Sequence, residues 1–461
     1  SGFVVIDVDA ACHHPSSWTY SGSSGNQTPA DATIVRPWCQ TWTMAKITIA
    51  GGGIGGLVAA MCLHDSGHDV NLYESVIEPT ELGVGINVLP HSVRVLDELG
   101  LLPELDRNAV RTGALMFLSR DGTRIWTEPR GLDAGNPWPQ FSIHRGRLQT
   151  LLWNAAASRL GPERLHTGFR LTHFEQSTDV VTANFTERPG NRNVIVESDA
   201  LVGADGIHSV ARKQLHPNDG LPHPSGLVLW RGAVRAPAFL DGRTMFMAGD
   251  DSQKAVVYPI TPPDVDGIAL INWVAERPQD VDMATVSWNR EVDVAGVARY
   301  FEDWDYGWLS IGALIASSDA AYEFPMVDRH PVEQWSFGRV TLLGDAAHPM
   351  RPNGSNGSSQ AILDGEAIAH ALSRHDDVIA ALHEYETARL ELTAKLTLAN
   401  RQAGPERVMQ WVADRCDGTC ATSHDRAHAC IDTAELEREA NAYKKLAGFD
   451  LATLQSMSVG Q

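Results

Sequence analysis

The residues whose types and spacing can do chemistry begin with Gly51-Gly52-Gly53-Ile54-Gly55-Gly56, which matches G-x-G-x-x-G between an apolar run (46–50) and a small-residue run (54–65). In that pattern Gly51 permits a tight turn, Gly53 lets a diphosphate approach the backbone, and Gly56 lets helix and strand pack closely. The start of the following helix presents free N–H groups and a partial positive charge to phosphates. Glu74 ends the next apolar run, 69–74, where an acid can accept hydrogen bonds from an adenosine ribose. Together these features predict dinucleotide binding without separating FAD from NAD.

Two further pairs lie far downstream. Leu201-Val202-Gly203-Ala204-Asp205-Gly206 reads as a buried strand running into a turn, with Ser209 placed to start a helix. Asp-Gly is also a common turn pair, so an ordinary strand–turn–helix fits equally well. Val340-Thr341-Leu342-Leu343-Gly344-Asp345 is a second buried strand, which delivers a carboxylate to its end. A Gly/Ser/Asn-rich loop follows, then a helix from about 358. Asp345 could bond a polyol such as ribitol, and the helix start could face the N1–C2=O edge of a flavin, where negative charge gathers on reduction. A structural Asp ending a strand is the plainer alternative.

The elements that must position these residues are legible. The chain reads β-α-β over 46–74, with further helical periods at 90–99, 146–159 and 360–372. Between about 225 and 275 four β-rich runs alternate, as expected of an antiparallel sheet. The predicted fold is therefore an α/β, Rossmann-like FAD- or NAD-type domain interrupted by an antiparallel β-sheet domain, with a helical, charged C-terminal segment. The expected boundaries are 44–116, 141–218 and 330–388 for the nucleotide domain. The sheet domain takes 117–140 and 219–329, and the helical segment 389–461. Residues 1–43, with few charges and no periodicity, read as a leader or extension outside the fold.

Composition narrows the partners. The 461 residues carry a net charge of -20, which disfavours nucleic acid and anionic lipid. Six cysteines in so long a chain are no disulfide framework, and the apolar glycine-turn segment is too short to span a membrane. A cytoplasmic protein, monomer or homodimer, is the expectation. Cys416, Cys420, His424 and His428 recur every four residues with Cys430 nearby, but Asp417-Gly418 interrupts the helix such spacing needs, and no metal is predicted.

Taken together, the glycine fingerprint, Asp205-Gly206 and Gly344-Asp345 resemble, over about 44–400, the class A single-component flavoprotein aromatic monooxygenases. The stretches FSIHRGRLQ, LVGADGIHS, LWRG and NGSSQAILDG are similar to the phenazine-modifying branch, typified by 5-methylphenazine-1-carboxylate 1-monooxygenase. The resemblance implies tightly but non-covalently bound FAD and NAD(P)H as a transient co-substrate. It also implies O2 adding to give a flavin C4a-hydroperoxide, which hydroxylates a small planar aromatic or heteroaromatic substrate, with or without decarboxylation. It implies ribitol contact by Asp345, FAD contact by Arg145, passage of the Gly83–Ile86 loop (with Gly85 and Ile86) beside the isoalloxazine, and a cofactor role for Asp205, Gly206, Gly344 and Gly357. Two positions depart from the family pattern after the Gly-Asp pair, Ser355 for a Gly and Ser359 for an Asn; Thr80 and Glu81 stand where an Arg is frequent.

No side chain is assigned a certain catalytic role, since a flavin carries the hard chemistry itself. Asn87, Tyr258 and Pro352 are candidates beside the reacting ring, with Asn87 or Tyr258 polarising a ring hydroxyl. Trp230, Trp273, Pro349 and Met350 are expected to line the pocket, although large aromatics more commonly fill cores. His348 reads as structural or pocket-lining rather than as a general base. Two other function classes stay open at this point: an NAD(P)-dependent dehydrogenase, which leaves the second and third motifs unexplained, and a non-catalytic flavin-binding protein.

Overall fold

Strand Lys46–Ala50 pairs in parallel with Asp69–Glu74 on one side and with Ala200–Gly203 on the other. Leu165–Thr167 and Val340–Leu342 complete a five-stranded parallel sheet. These strands are almost wholly apolar because helices cover both faces. Helix Ile54–Asp65 is apolar on nearly every side for the same reason, its residues from Ile54 to Met61 all buried. The register matters most: Ala50 lies opposite Gly203, and Gly203 opposite Leu342. Three strands therefore end level, and their next residues emerge side by side at the carboxyl edge of the sheet, the usual ligand position in open α/β sheets.

The computed structural model describes residues 44–78, 84–279, 283, 288, 290–415 and 431–459. The leader, most of the loop before Gly85 (with Thr80 and Glu81), and the Cys/His tract from Cys416 to Cys430 lie outside the described residues.

A second, eight-stranded sheet is built mainly from His223–Pro237, Thr244–Asp250, Gln253–Pro259, Ile268–Pro278 and Ala321–Asp328. It is antiparallel except where Thr244–Asp250 runs parallel to Ala114–Leu118, so that strand straddles the expected boundary at 117. One face buries Trp230, Phe246, Val257 and Trp273 against helices Val294–Ala298 and Ile311–Ala316. The other face gathers Met245, Met247, Val256 and Tyr258 with Val408, Met409 and Leu436 of the tail helices. A three-stranded antiparallel meander, Phe169–Gln176, Val181–Glu187 and Arg192–Ser198, is an addition that the sequence reading did not single out.

The helices expected near 90–99, 146–159 and 360–372 are Pro90–Glu98, Arg145–Leu160 and Gly357–Leu372. The tail is helical, from Val378–Arg401 through Arg407–Arg415 and Thr433–Ala447 to Leu451–Val459. Among the described residues no helix is long and apolar enough to cross a membrane.

Candidate active site

The first turn is as tight as its glycines require. Gly51 has φ +121, and a Cβ placed there would stand 2.1 Å from the Ala204 carbonyl oxygen. At Gly56 a Cβ would stand 2.1 Å from the Gly51 oxygen, so strand end and helix start touch through bare backbone. At Gly53 the opposite holds: nothing lies within 4 Å of that Cβ position. Glu74 braces the turn, its carboxylate accepting the Gly52 N–H at 2.6 Å and the Val76 N–H at 2.8 Å.

In the second turn, Asp205 faces away from the open space. It accepts the Val210 N–H at 2.7 Å and the Ser209 hydroxyl, capping helix Val210–Leu215. Burial pushes its carboxyl up against the pull of those hydrogen bonds. Gly206, with φ +75, is the residue that lines the cavity. Arg212 on that helix pairs with Asp219 at 2.8 Å and donates to the carbonyls of Ala346 and Ala347, tying the second turn to the third.

In the third turn the carboxylate of Asp345 opens into the cavity. Burial raises its pKa, opposed by His348 and Arg145. Behind it, Asp364 of helix Gly357–Leu372 is fully buried; it accepts the Gly344 N–H at 3.0 Å, His348 Nε2 at 2.6 Å and Arg389 Nε at 2.8 Å. Burial alone would raise the Asp364 carboxyl, but His348 and Arg389 overcome it and hold it at about 2. An ionised carboxylate only accepts, so His348 carries its proton on Nε2. That role is structural, one of the two readings its sequence position allowed.

The turns open on one cavity of about 340 Å³. Of the expected cofactor residues, Gly53, Gly56, Gly85, Ile86, Arg145, Gly206, Gly344, Asp345 and Gly357 line it, whereas Gly51, Glu74 and Asp205 stand behind the lining. Asn87, Tyr258, Met350 and Pro352 also line it. Asn87 takes the Ser142 hydroxyl at 2.7 Å and reaches Ser355 Oγ at 3.4 Å. Ser355, the residue that departs from the family Gly, keeps the left-handed conformation at φ +56.

Trp230, Trp273 and Pro349 do not line the cavity, which corrects their expected placement. Side chains alternate along a strand, and it is Leu229, Arg231, Val274 and Glu276 that face the cavity. Trp230 and Trp273 have the opposite parity. Their indole N–H groups bond Glu323 at 2.9 Å and Ser318 at 2.8 Å on the far side of the sheet. Pro349 is buried outside the lining, its carbonyl taking the Arg329 N–H.

The sheet wall is apolar at Leu229, Met245, Met247, Val256 and Val274, and polar at a few convergent positions. Arg231 Nη2 donates to the Gly85 carbonyl at 2.9 Å, while Asn272 Oδ1 accepts the Gly85 N–H at 2.6 Å. A Cβ at Gly85 would collide with Asn272 and Tyr258 at 2.7 Å, so only glycine fits between strand and sheet. Burial pushes the Tyr258 phenol up to about 12, with Arg231 beside it pulling the other way. Lys254 lies directly across from Glu276 in register and bonds it at 2.8 Å, and it also bonds Glu406. Burial opposes the Lys254 charge, but the two carboxylates raise its pKa. Sequence reasoning missed Arg231, Lys254, Glu276, Glu406 and Asp364. Arg231 and Asp364 left a signal, inside the quoted LWRG and NGSSQAILDG.

Residues 44–399 match a family described as an FAD binding domain. The phenazine 1,6-dicarboxylic acid hydroxylase of Lysobacter antibioticus is 44% identical over 367 residues, covering 78% of this chain and 90% of that protein. A 3-amino-4-hydroxybenzoate 2-monooxygenase of Streptomyces platensis is 31% identical over 402 residues, covering 83% of this chain and 94% of that protein. Among solved structures, Klebsiella pneumoniae HpxO complexed with FAD and uric acid matches with a TM-score of 0.68 at 23% identity, over 89% of this chain and 97% of that one; at that identity the likeness is one of fold.

Proposed function

This chain belongs to the FAD-binding family of flavoprotein aromatic monooxygenases, and from that premise we propose that it hydroxylates a planar heteroaromatic acid, with or without loss of the carboxyl group. The observation that carries the reading is the level register of three strands, which opens the glycine turn, Gly206 and Asp345 onto one cavity whose far wall is apolar sheet.

The residues present fit FAD. At Gly53 the backbone is bare toward open space, and helices Ile54–Asp65 and Gly357–Leu372 both start at the cavity without a side-chain cap. Free N–H groups at helix starts suit anionic groups. The turn Gly51–Gly56 would hold the diphosphate. Glu74 has lone pairs left over from its two backbone bonds, and it would accept from the adenosine ribose. Asp345 would accept from ribitol hydroxyls, with Gly85, Ile86 and Arg145 flanking the ring system and the start of helix Gly357–Leu372 facing its N1–C2=O edge. When bound, FAD takes two electrons from NAD(P)H and delivers them to O2, the source of the inserted oxygen.

The chain's own work is then orientation and dryness. Leu229, Met245, Met247, Val256 and Val274 present an apolar surface for a flat ring, and their exclusion of water would limit wasteful release of hydrogen peroxide. Asn87 and Tyr258 supply oriented polar contacts to ring substituents. We read the parallel-sheet segments as the FAD-binding domain and the eight-stranded sheet as the substrate domain. The absence of a second glycine fingerprint in the sequence supports a transient visit by NAD(P)H. The acidic charge of -20 argues against nucleic-acid partners. The relatives are named a hydroxylase and a monooxygenase, which favours oxygenation over a dehydrogenase or a non-catalytic flavin binder.

The test is aerobic NAD(P)H consumption by the FAD-loaded protein with phenazine carboxylic acids, hydroxybenzoates and their neutral analogues, with product mass measured. A product carrying one added oxygen, or one added oxygen less carbon dioxide, is expected. If no ring compound accelerates NAD(P)H oxidation, the reading fails.

A further inference from the structure

Resting on that reading of a heteroaromatic acid hydroxylase, we propose that Arg231 is the residue that recognises the substrate's carboxylate.

Arg130, Arg212 and Arg389, all buried, each have a carboxylate partner: Glu128, Asp219 and Asp364. Arg231 makes no ion pair among the described residues. Its Nη2 donates to the Gly85 carbonyl at 2.9 Å, the Tyr258 phenol is its other partner, and its Nε is buried with none. A guanidinium has five N–H donors in a flat fork matched to a carboxylate. Glu276 attracts Arg231 from the same wall without bonding it, and a cation whose hydrogen bonds go only to neutral acceptors is costly unless an anion arrives.

Apart from Asp345, which follows strand Val340–Leu342, the other charged groups of the cavity do not supply that anion, nor do they compete for it. Glu276 and Glu406 both close on Lys254, and Glu406 also takes the Asn353 amide at 2.8 Å. Two carboxylates around one ammonium do not attract a third. Arg351 is paired with Asp328 at 3.1 Å, and that carboxylate is shared with Arg401 at 2.7 Å. Arg145 is exposed, so water can solvate it. Arg231 is thus the cavity's one enclosed arginine without a carboxylate among the described residues. It sits between Leu229 and the strand that begins at Gly85, on the wall where a flat apolar ring would lie. An aromatic acid satisfies both features of that wall, ring on methionine and valine, carboxylate on the fork.

The experiment compares phenazine-1-carboxylic acid with phenazine-1-carboxamide, which has the same ring and no charge. Both are titrated into the FAD-loaded full chain without NAD(P)H, following the flavin absorbance. Wild type is expected to bind the acid about tenfold to a hundredfold more tightly, the range of a charge-assisted hydrogen-bonded pair. Arg231→Met should erase that preference while amide binding holds. Arg231→Lys, which keeps the charge and loses the fork, should retain part of it. In turnover the loss should fall on KM for the acid rather than on kcat. Equal binding of acid and amide by wild type overturns the assignment and leaves the hydroxylase reading standing, as does an Arg231→Met protein that still prefers the acid. That wild-type comparison is decisive even if a variant fails to fold. Failure of both rings to bind, together with failure of every ring compound to stimulate NAD(P)H oxidation, sinks both.

Discussion

Gly53→Ala and Gly56→Ala are the same chemical change three residues apart, and the structure separates their consequences. At Gly56 the new methyl would stand 2.1 Å from the Gly51 carbonyl oxygen, about 1.3 Å short of the 3.4 Å at which ordinary contact begins. Both partners are backbone, one at the helix start and one in the turn, so no rotamer relieves the clash. Overpacking of this kind costs about 1–3 kcal/mol, and the upper end is expected where the main chain itself must part. At Gly53 the methyl meets nothing within 4 Å. The backbone there has φ -74 and ψ -179, which alanine adopts freely. Reduced freedom of the unfolded chain then favours the variant by about 0.4–1 kcal/mol. Flavin-free Gly53→Ala should therefore unfold in urea at or slightly above the wild-type midpoint, and flavin-free Gly56→Ala clearly below it. FAD titration should reverse the emphasis for Gly53→Ala. Its methyl occupies the space a diphosphate needs, and affinity should fall at least about tenfold, the loss of a single charge-assisted hydrogen bond. Wild-type FAD affinity in Gly53→Ala would refute the reasoning, and so would a stability loss matching that of Gly56→Ala.

Two further outcomes follow from buried groups. Asp364→Asn leaves the Arg389 guanidinium without its carboxylate, and unfolding free energy should drop by about 3–5 kcal/mol. In wild type the Asp364 contribution is complete above its unfolded value of 3.8 and drains as pH falls toward about 2, a window worth about 2 kcal/mol. Asp364→Asn should lack that part of the acid slope in denaturant unfolding, and an unchanged slope would count against the network. Trp273→Phe removes the indole bond to Ser318 on the far side of the sheet, so thermal stability should fall by about 2 kcal/mol with substrate KM unchanged. A severalfold rise in KM would return Trp273 to the pocket.

The parallel sheet was legible because its strands are short apolar runs closed by glycine turns, and the order of the three turns left few topologies open. The wall of the pocket was not. In Leu-Trp-Arg-Gly the alternation is present, yet Leu229 and Trp230 are equally buried, at 6% exposure each, because the sheet is covered on both faces. With no polar face to mark the outside, parity cannot be fixed from hydrophobicity, and the large aromatics were drawn to the wrong side. Gly232 carries a related clue: a Cβ there would stand 2.5 Å from the Trp273 ring, so the glycine makes room for a core indole. The Lys254–Glu276–Glu406 cluster joins residues 152 positions apart, and Asp364 meets Arg389 across two helices. Such pairings have no local period for a sequence to display.

The acids of the motifs divide by what they accept, and the division bears on how variants are read. Glu74 takes the Gly52 N–H, Asp205 takes the N–H groups at the start of its own helix, and Asp364 takes the Gly344 N–H. Each of the three turns is thus held by a buried carboxylate facing backbone, and Asp345 is the motif acid whose carboxylate opens into the cavity. An anion that accepts main-chain N–H groups fixes a turn more firmly than a neutral acceptor, since such bonds are roughly twice as strong. Weakened FAD binding after loss of Glu74, Asp205 or Asp364 would therefore follow from a displaced turn as readily as from a lost contact. The two causes part on the flavin-free protein: a brace lowers its stability before any cofactor is added, whereas a residue that only touches the cofactor, as expected of Asp345, leaves it unchanged.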